Sequence, residues 1–321
     1  MKNKLRKIVI VTACSLLAIG ISIVLFFLFT KAPILEGSVI YSIPYNEEQH
    51  LDIYKPTNEV YEKSPVLLFI HGGGWIVGRK ESINMNRFNG SINTLREKGY
   101  TVISIEYTLG KEGTPFPDCI IDVFQAIKWI NENAVEYNLD INNLGLLGES
   151  AGGHLAMISA FASPKDYDID QPDFPISYVI DVYGPVDLNK LRTAQAIDSA
   201  KVLLKRLPSY LQEPLDLEKR LFGFDPDEDS IRTKMFTDHY SPVSYIKNQI
   251  PPVLIIHGDE DILVPLAQSL ELESLLKQEN AEYEMQILDE VNHAFIGAST
   301  EQMNQVQERI ADFVLDHYKT K

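Results

Sequence analysis

The chain has 321 residues, 45 of them acidic and 29 basic, for a formal net charge of −16. Five of the basic residues lie within the first 31, which leaves 24 against 45 and a charge of −21 on residues 32–321. Such a surface repels phosphate backbones and argues against nucleic-acid binding, and the length suits one α/β domain of about 250–300 residues better than two.

Residues 1–31 read as a targeting segment. Lys2, Lys4, Arg6 and Lys7 precede an uncharged apolar run from Ile8 to Phe29, long enough at 1.5 Å per residue to cross a bilayer core of about 30 Å. The basic flank predicts a single transmembrane helix with its N-terminus cytoplasmic and residues 32–321 outside the cell. A cleaved signal peptide is the alternative, with secretion as its outcome. It would require a shorter apolar core and small residues at the end, whereas this run ends in Leu25-Phe26-Phe27-Leu28-Phe29. Val11-Thr12-Ala13-Cys14 resembles a lipobox but sits too early in the run, so Cys14 is expected within the membrane span. The other cysteine, Cys119, reads as a small buried residue on a helix.

Beyond the anchor, Gly37–Ser42 and His50–Tyr54 read as a hairpin at a sheet edge, joined by the polar turn 46–49. Pro65–Ile70 is a continuous apolar run, as expected of a parallel strand covered on both faces. Next come a helix around Ile92–Lys98, a strand at Tyr100–Glu106 and an amphipathic helix at Asp118–Asn133. A strand from Leu144 to Leu147 leads into a tight turn and another helix, and Tyr178–Tyr183 is a further buried strand. Residues 184–249 are charged and helix-prone and read as a cap inserted after the sixth strand. The sheet resumes at Pro252–His257, followed by a helix at Leu266–Gln278, a strand at Tyr283–Leu288 and a last helix at Gln302–Tyr318. This alternation predicts a mostly parallel eight-stranded sheet with helices on both faces.

The tight turn is Gly148-Glu149-Ser150-Ala151-Gly152, a G-x-S-x-G nucleophile elbow between strand and helix, with the serine hydroxyl pushed outward. A serine needs a base, a group to orient the base, and donors for an oxyanion. His293, just beyond the last strand, is the expected base. His154 lies one turn into the elbow helix and points away, so packing is expected of it. His71 is expected to shape its loop and His257 to be structural. His50, His239 and His317 read as surface or linker residues. An acid must fall between serine and histidine in the chain, and Asp261 is preferred over Asp259 and Glu260 because the apolar Ile262-Leu263-Val264 can bury it. Asp259 reads as a turn cap, and the cap carboxylates Asp225–Asp229 as a solvated face. Gly73, Gly74 and Ala151 are the expected oxyanion donors, since glycines after a strand let the main chain approach a substrate closely. No spacing matches a metal, nucleotide or other cofactor site.

His71-Gly72-Gly73-Gly74-Trp75, the run Gly148–Ala156, Tyr183-Gly184-Pro185-Val186-Asp187-Leu188, Ser241-Pro242 and His257-Gly258-x-x-Asp261-x-x-Val264-Pro265 together resemble α/β-hydrolases of the hormone-sensitive-lipase-like and feruloyl/acetyl (carbohydrate) esterase group. The resemblance covers about residues 38–318. It implies the α/β-hydrolase fold and hydrolysis of small carboxylic esters, short acyl groups such as acetyl being favoured, with Ser150, Asp261 and His293 as triad. The last motif lies nearer the carbohydrate-esterase-like members. Two rivals share the fold: a serine peptidase of the prolyl-oligopeptidase type, which would require an N-terminal propeller that about 30 residues cannot form, and a non-catalytic surface protein.

Overall fold

The computed structural model describes residues 37–320, apart from 86, 111–112, 195–196, 198–200, 203, 205–207, 209–215 and 248. The expected membrane helix, with Cys14, lies outside the described residues. No helix among the described residues is long and apolar enough to cross a membrane.

Eight strands form one sheet in the order β1-β2-β4-β3-β5-β6-β7-β8: β1 (Val39–Pro44), β2 (His50–Tyr54), β3 (Ser64–Ile70), β4 (Thr101–Ile105), β5 (Leu139–Glu149), β6 (Tyr178–Val182), β7 (Val253–Gly258) and β8 (Tyr283–Leu288). The β1–β2 hairpin sits at the edge as expected; it is antiparallel to β4, and every later pairing is parallel. Every residue of β3, β4, β6 and β7 is buried, because helices cover both faces. On one side α2 (Asp118–Glu132) and α3 (Ala151–Phe161) pack Ile120, Val123, Ile127, Leu155 and Met157 onto Val66, Leu68 and Leu146, with Cys119 buried among them. On the other, α1 (Asn89–Glu97) and α8 (Thr300–Asp316) pack Ile92, Leu95, Ile310 and Phe313 onto Leu67, Leu147 and Leu254.

Strand β5 begins five residues before its apolar run. A register shift between Pro65 and Val66 lets Asp140 and then Leu144 face consecutive β3 residues, and the Asp140 carboxylate accepts from the side chains of Asn142 and Asn143 within the irregularity. Between β6 and β7 lie α4 (Leu188–Arg192), α5 (Leu217–Phe222) and α6 (Ser230–His239). This insertion is tied down. Gln268, in α7 (Ala267–Gln278), accepts the N–H groups of Val186 and Asp187, while Tyr240 stacks on Phe116 and Phe236 meets it edge-on. Of the insertion's carboxylates, Asp227, Glu228 and Asp229 are exposed, the solvated face expected of them, and Asp225 is half-buried; three of them also hold the insertion together. Asp227 pairs with Arg192 at 2.6 Å, Asp225 with Lys219 at 2.9 Å, and Asp229 caps α6, because the insertion has little apolar pattern of its own and is held together by ion pairs and caps.

Because β3, β5, β7 and β8 run parallel, the loops after them emerge on one side of the sheet. That side is where an α/β sheet presents its chemistry.

Candidate active site

The turn after β5 is a strained elbow. Ser150 has φ 51° and ψ −120°, a conformation that costs on the order of 1–3 kcal/mol and holds only where its surroundings enforce it. They do so through two glycines. A Cβ on Gly148 would stand 2.1 Å from the Gly152 carbonyl oxygen, and one on Gly152 would stand 2.0 Å from the Ile70 oxygen. Strand β5, helix α3 and the end of β3 therefore meet with no room for a side chain, and the serine is the residue pushed out.

Three loops converge on that serine. The Ser150 Oγ lies 3.0 Å from His293 Nε2, and His293 Nδ1 lies 2.6 Å from Asp261 Oδ2. With Asp261 ionised, Nδ1 carries the proton and Nε2 presents its lone pair to the hydroxyl. The His293 loop is bent into place by consecutive left-handed residues, Ala294 and Phe295, at φ 58° and 59°. Asn292 joins the two loops by accepting the N–H groups of both Ile262 and His293. Asp259, expected to cap its own turn, reaches instead to the His293 loop: its carboxylate accepts the N–H of Glu290, three residues before the histidine.

Asp261 is buried. Burial pushes its carboxyl up, but hydrogen bonds from His257 and His293, the charge of His293 and the Val264 N–H outweigh it and hold the group down at about 2. Its second oxygen, Oδ1, accepts the N–H groups of Leu263 and Val264 at 2.9 and 2.8 Å. Asp259 and Glu260 are exposed, which separates the three neighbouring carboxylates.

The loop after β3 places Gly73 (φ 124°), Gly74 (φ 60°) and Trp75 (φ 57°) in conformations that favour glycine. The Gly73 carbonyl accepts from Ile76 and Val77, which leaves the Gly73–Gly74 backbone curled beside the elbow. Ala151 is the first residue of α3, a position whose N–H has no acceptor within its own helix. His71 braces this loop: it stacks on Tyr107 at 4.3 Å, and burial lowers its imidazole to about 4. His154 is fully buried, donates Nε2–H to the Tyr240 carbonyl at 2.6 Å and is likewise lowered to about 4 by burial. Of the outlying histidines, His50 opens β2 and His239 closes α6. His317 is more enclosed than expected, packed against Tyr178 and Phe313.

One element of the site escapes sequence reasoning. Glu149, inside the G-x-S-x-G turn, is buried, and Arg87 Nε and Nη2 donate to its two oxygens at 3.1 and 3.0 Å. The Tyr183 hydroxyl donates to it at 2.9 Å, and the Tyr183 ring lies 4.8 Å from that of His293. Burial pushes the Tyr183 hydroxyl well up. Arg87 stands in a loop 62 residues from its partner, where no periodicity or motif marks it.

A cavity of about 370 Å³ opens between the glycine loop and the insertion, lined by Gly74, Trp75 and Ile76 and by Leu188, Leu191, Leu221 and Phe222. Of the charged groups at its wall, Arg192 and Lys201 both meet Glu218, at 2.9 and 2.8 Å, and Asp216 accepts the Lys219 N–H. Among the described residues, no cluster of histidine, cysteine and carboxylate side chains is arranged to hold a metal ion.

The BD-FAE family model matches residues 51–276, more than two thirds of the chain and both the glycine loop and the elbow. The chain belongs to the BD-FAE family. The dienelactone hydrolase family model also matches this BD-FAE chain, over residues 236–318, the part that carries Asp261 and His293. Similar proteins include a probable carboxylic ester hydrolase, LipM, of Mycobacterium tuberculosis, 28% identical over 76% of this chain and 52% of its own length. Esterase LipQ of the same organism is 27% identical over 85% of this chain and 61% of its own length. The BD-FAE chain thus spans about half to three fifths of the length of these curated relatives. Among solved structures, a truncated carbohydrate esterase from gut microbiota superposes with a TM-score of 0.69 at 22% identity, covering 89% of this chain and 99% of that one. Esterase B from Lactobacillus rhamnosus superposes at 0.70 and 20% identity, covering 96% and 95%. These likenesses establish the fold of this BD-FAE member as an α/β-hydrolase.

Proposed function

We propose that this BD-FAE member is a serine ester hydrolase in which Ser150, His293 and Asp261 form the triad. The observation that carries the reading is the hydrogen-bonded line from Ser150 Oγ through His293 to Asp261, built from three loops far apart in the chain. In the reaction, His293 Nε2 takes the hydroxyl proton as Ser150 Oγ attacks the ester carbonyl, and Asp261 stabilises the imidazolium that results. The N–H groups of Gly73, Gly74 and Ala151 receive the oxyanion. His293 then gives its proton to the departing alkoxide, leaving an acyl-enzyme and free alcohol. Water, deprotonated by the same imidazole, hydrolyses the acyl-enzyme and restores the serine.

The names of its relatives support ester hydrolysis, and the resemblance of its motifs supports short acyl groups, acetyl first. An acetyl group fills little of a cavity of about 370 Å³, given that one water occupies roughly 30 Å³ of liquid. The apolar walls suit the larger remainder of the substrate. Residues 1–31 hold the domain to the outer face of the membrane in this reading, on the strength of their apolar run and basic flank alone.

Full-length protein in detergent, assayed on p-nitrophenyl acetate, tests the mechanism. Ser150→Ala is expected to lower kcat by at least about a thousandfold, and turnover equal to wild type would end the proposal. A series from acetate to octanoate, run in parallel, reports the preferred acyl length.

A further inference from the structure

The line of hydrogen bonds does not stop at Asp261. His257, the residue before the end of β7, is completely buried. Its Nε2 lies 2.8 Å from the Val264 carbonyl oxygen and 3.3 Å from Asp261 Oδ2, the same oxygen that receives His293. Its Nδ1 lies 2.6 Å from Ser269 Oγ in α7, and Ser269 is also fully buried.

The chemistry fixes the tautomer. Nε2 faces two oxygens that can only accept, a carbonyl and an ionised carboxylate, so it must carry the proton and share it between them. Nδ1 is then the acceptor and Ser269 the donor. The alternative tautomer would set a nitrogen lone pair against two acceptors in a dry interior, where unsatisfied groups are most costly. A further neighbour is Tyr183, the residue after β6, whose ring stands edge-on to His257 at 6.5 Å and whose hydroxyl is committed to Glu149, itself paired with Arg87.

From this geometry we infer that His257 is a positioning residue, acting through Asp261 on His293. Ser269, His257, Asp261, His293 and Ser150 form one chain of five side chains. Asp261 Oδ1 is held by two backbone N–H groups and Oδ2 by two imidazoles. The His257 N–H fixes the orientation of Oδ2 and draws part of its charge, which moderates the grip of the carboxylate on the His293 imidazolium. The inference rests on the triad reading above, and Ser150→Ala tests that reading separately.

Two amides that differ by one methylene make the test. In His257→Gln the amide N–H₂ can reach the Nε2 position and face Asp261; in His257→Asn it reaches only the Nδ1 position and leaves Oδ2 without its second donor. With full-length protein in detergent and p-nitrophenyl acetate, His257→Asn is expected to lose about tenfold in kcat, in the range of one weak hydrogen bond to a charged group. KM should stay within about twofold, since a positioning defect falls on the chemical step. The acid limb of the kcat/KM profile should move to higher pH, because a carboxylate with one donor fewer holds the imidazolium more tightly. His257→Gln should restore both quantities to near wild type. Ser269→Ala, a smaller change that releases the tautomer, should give the same shift in reduced form, and it stands in if the amide variants fail to fold. A folded His257→Asn protein with wild-type kcat and an unmoved acid limb would show that His257 only packs, and equal defects in the Asn and Gln variants would refute the positional argument.

Discussion

Removing the Arg87 guanidinium probes how far the elbow depends on charges behind it. The Arg87 and Glu149 side chains are 15% and 5% exposed, and their closest approach is 2.8 Å. Burial opposes the charge on Arg87, but the adjacent Glu149 carboxylate outweighs it and pushes the guanidinium further up. Arg87→Met keeps most of the volume and leaves Glu149 buried with the Tyr183 hydroxyl as its remaining side-chain donor. Breaking one side of such a pair costs about 3–5 kcal/mol, a large share of the roughly 5–15 kcal/mol that holds a domain folded. At about 2–4 °C per kcal/mol the loss in Tm is on the order of 10 °C. Exchanging both partners, as in Arg87→Met with Glu149→Met, removes the stranded charge and should recover about 2 kcal/mol or more relative to the sum of the single changes. Because the Tyr183 ring lies against His293, kcat should fall in Arg87→Met below its melting range. Urea unfolding followed by tryptophan fluorescence gives the stabilities. A single substitution costing less than about 1 kcal/mol, or a double variant additive within about 0.5 kcal/mol, would show that the pair is not coupled in the way its burial implies.

Two other expectations follow from burial and backbone. His154 is held neutral by burial, its imidazole lowered from 6.5 to about 4; the unfolded chain therefore binds the extra proton between those values, and stability falls as pH drops from 6.5 toward 4, by about 3 kcal/mol over the interval. His154→Gln should be less stable than wild type at pH 7 and close the gap as the pH is lowered, while a pH-independent difference in urea midpoints would contradict the assignment. Gly152→Ala forces a Cβ to within 2.0 Å of a backbone oxygen and should cost about 3 kcal/mol or more. Gly74→Ala meets nothing within 4 Å, so its φ of 60° should cost only about 1–2 kcal/mol; equal losses in urea unfolding would refute the distinction.

What could be read in the chain beforehand was set by how locally each feature is encoded. Strand β3 is legible because a strand covered on both faces must be apolar at every position, and Pro65–Ile70 is. The glycines around Ser150 are legible because one tight turn needs them whatever surrounds it. Asp261 was separable from Asp259 by the apolar residues that follow it, and those residues supply the two N–H groups on its Oδ1. The insertion was legible only as an interruption. Its α6 helix leaves Ile231 and Met235 exposed and sets Phe236 edge-on against Phe116, and the segment before it is tied to α4 by the Arg192–Asp227 ion pair; neither contact has a period in sequence.

The same distinction explains why the contacts of Glu149 and His257 cannot be read from the sequence, while Ser150, Asp261 and His293, which the structure brings together, can be picked out. A reacting group carries its signature in its neighbours, because the turn that exposes it constrains the residues on either side. A supporting group is defined by what it touches across the fold: Arg87 reaches Glu149 from a separate loop, and His257 meets Asp261 and Ser269 only once β7 is stacked in the sheet and α7 packs behind it. His257 lies four residues from Asp261 within one motif, so the spacing was visible. The direction of its Nε2–H was not, since that is decided by the Val264 carbonyl and the Ser269 hydroxyl. In this chain the three residues of the hydrogen-bonded line can be picked from local pattern, and the residues packed against them require the assembled sheet.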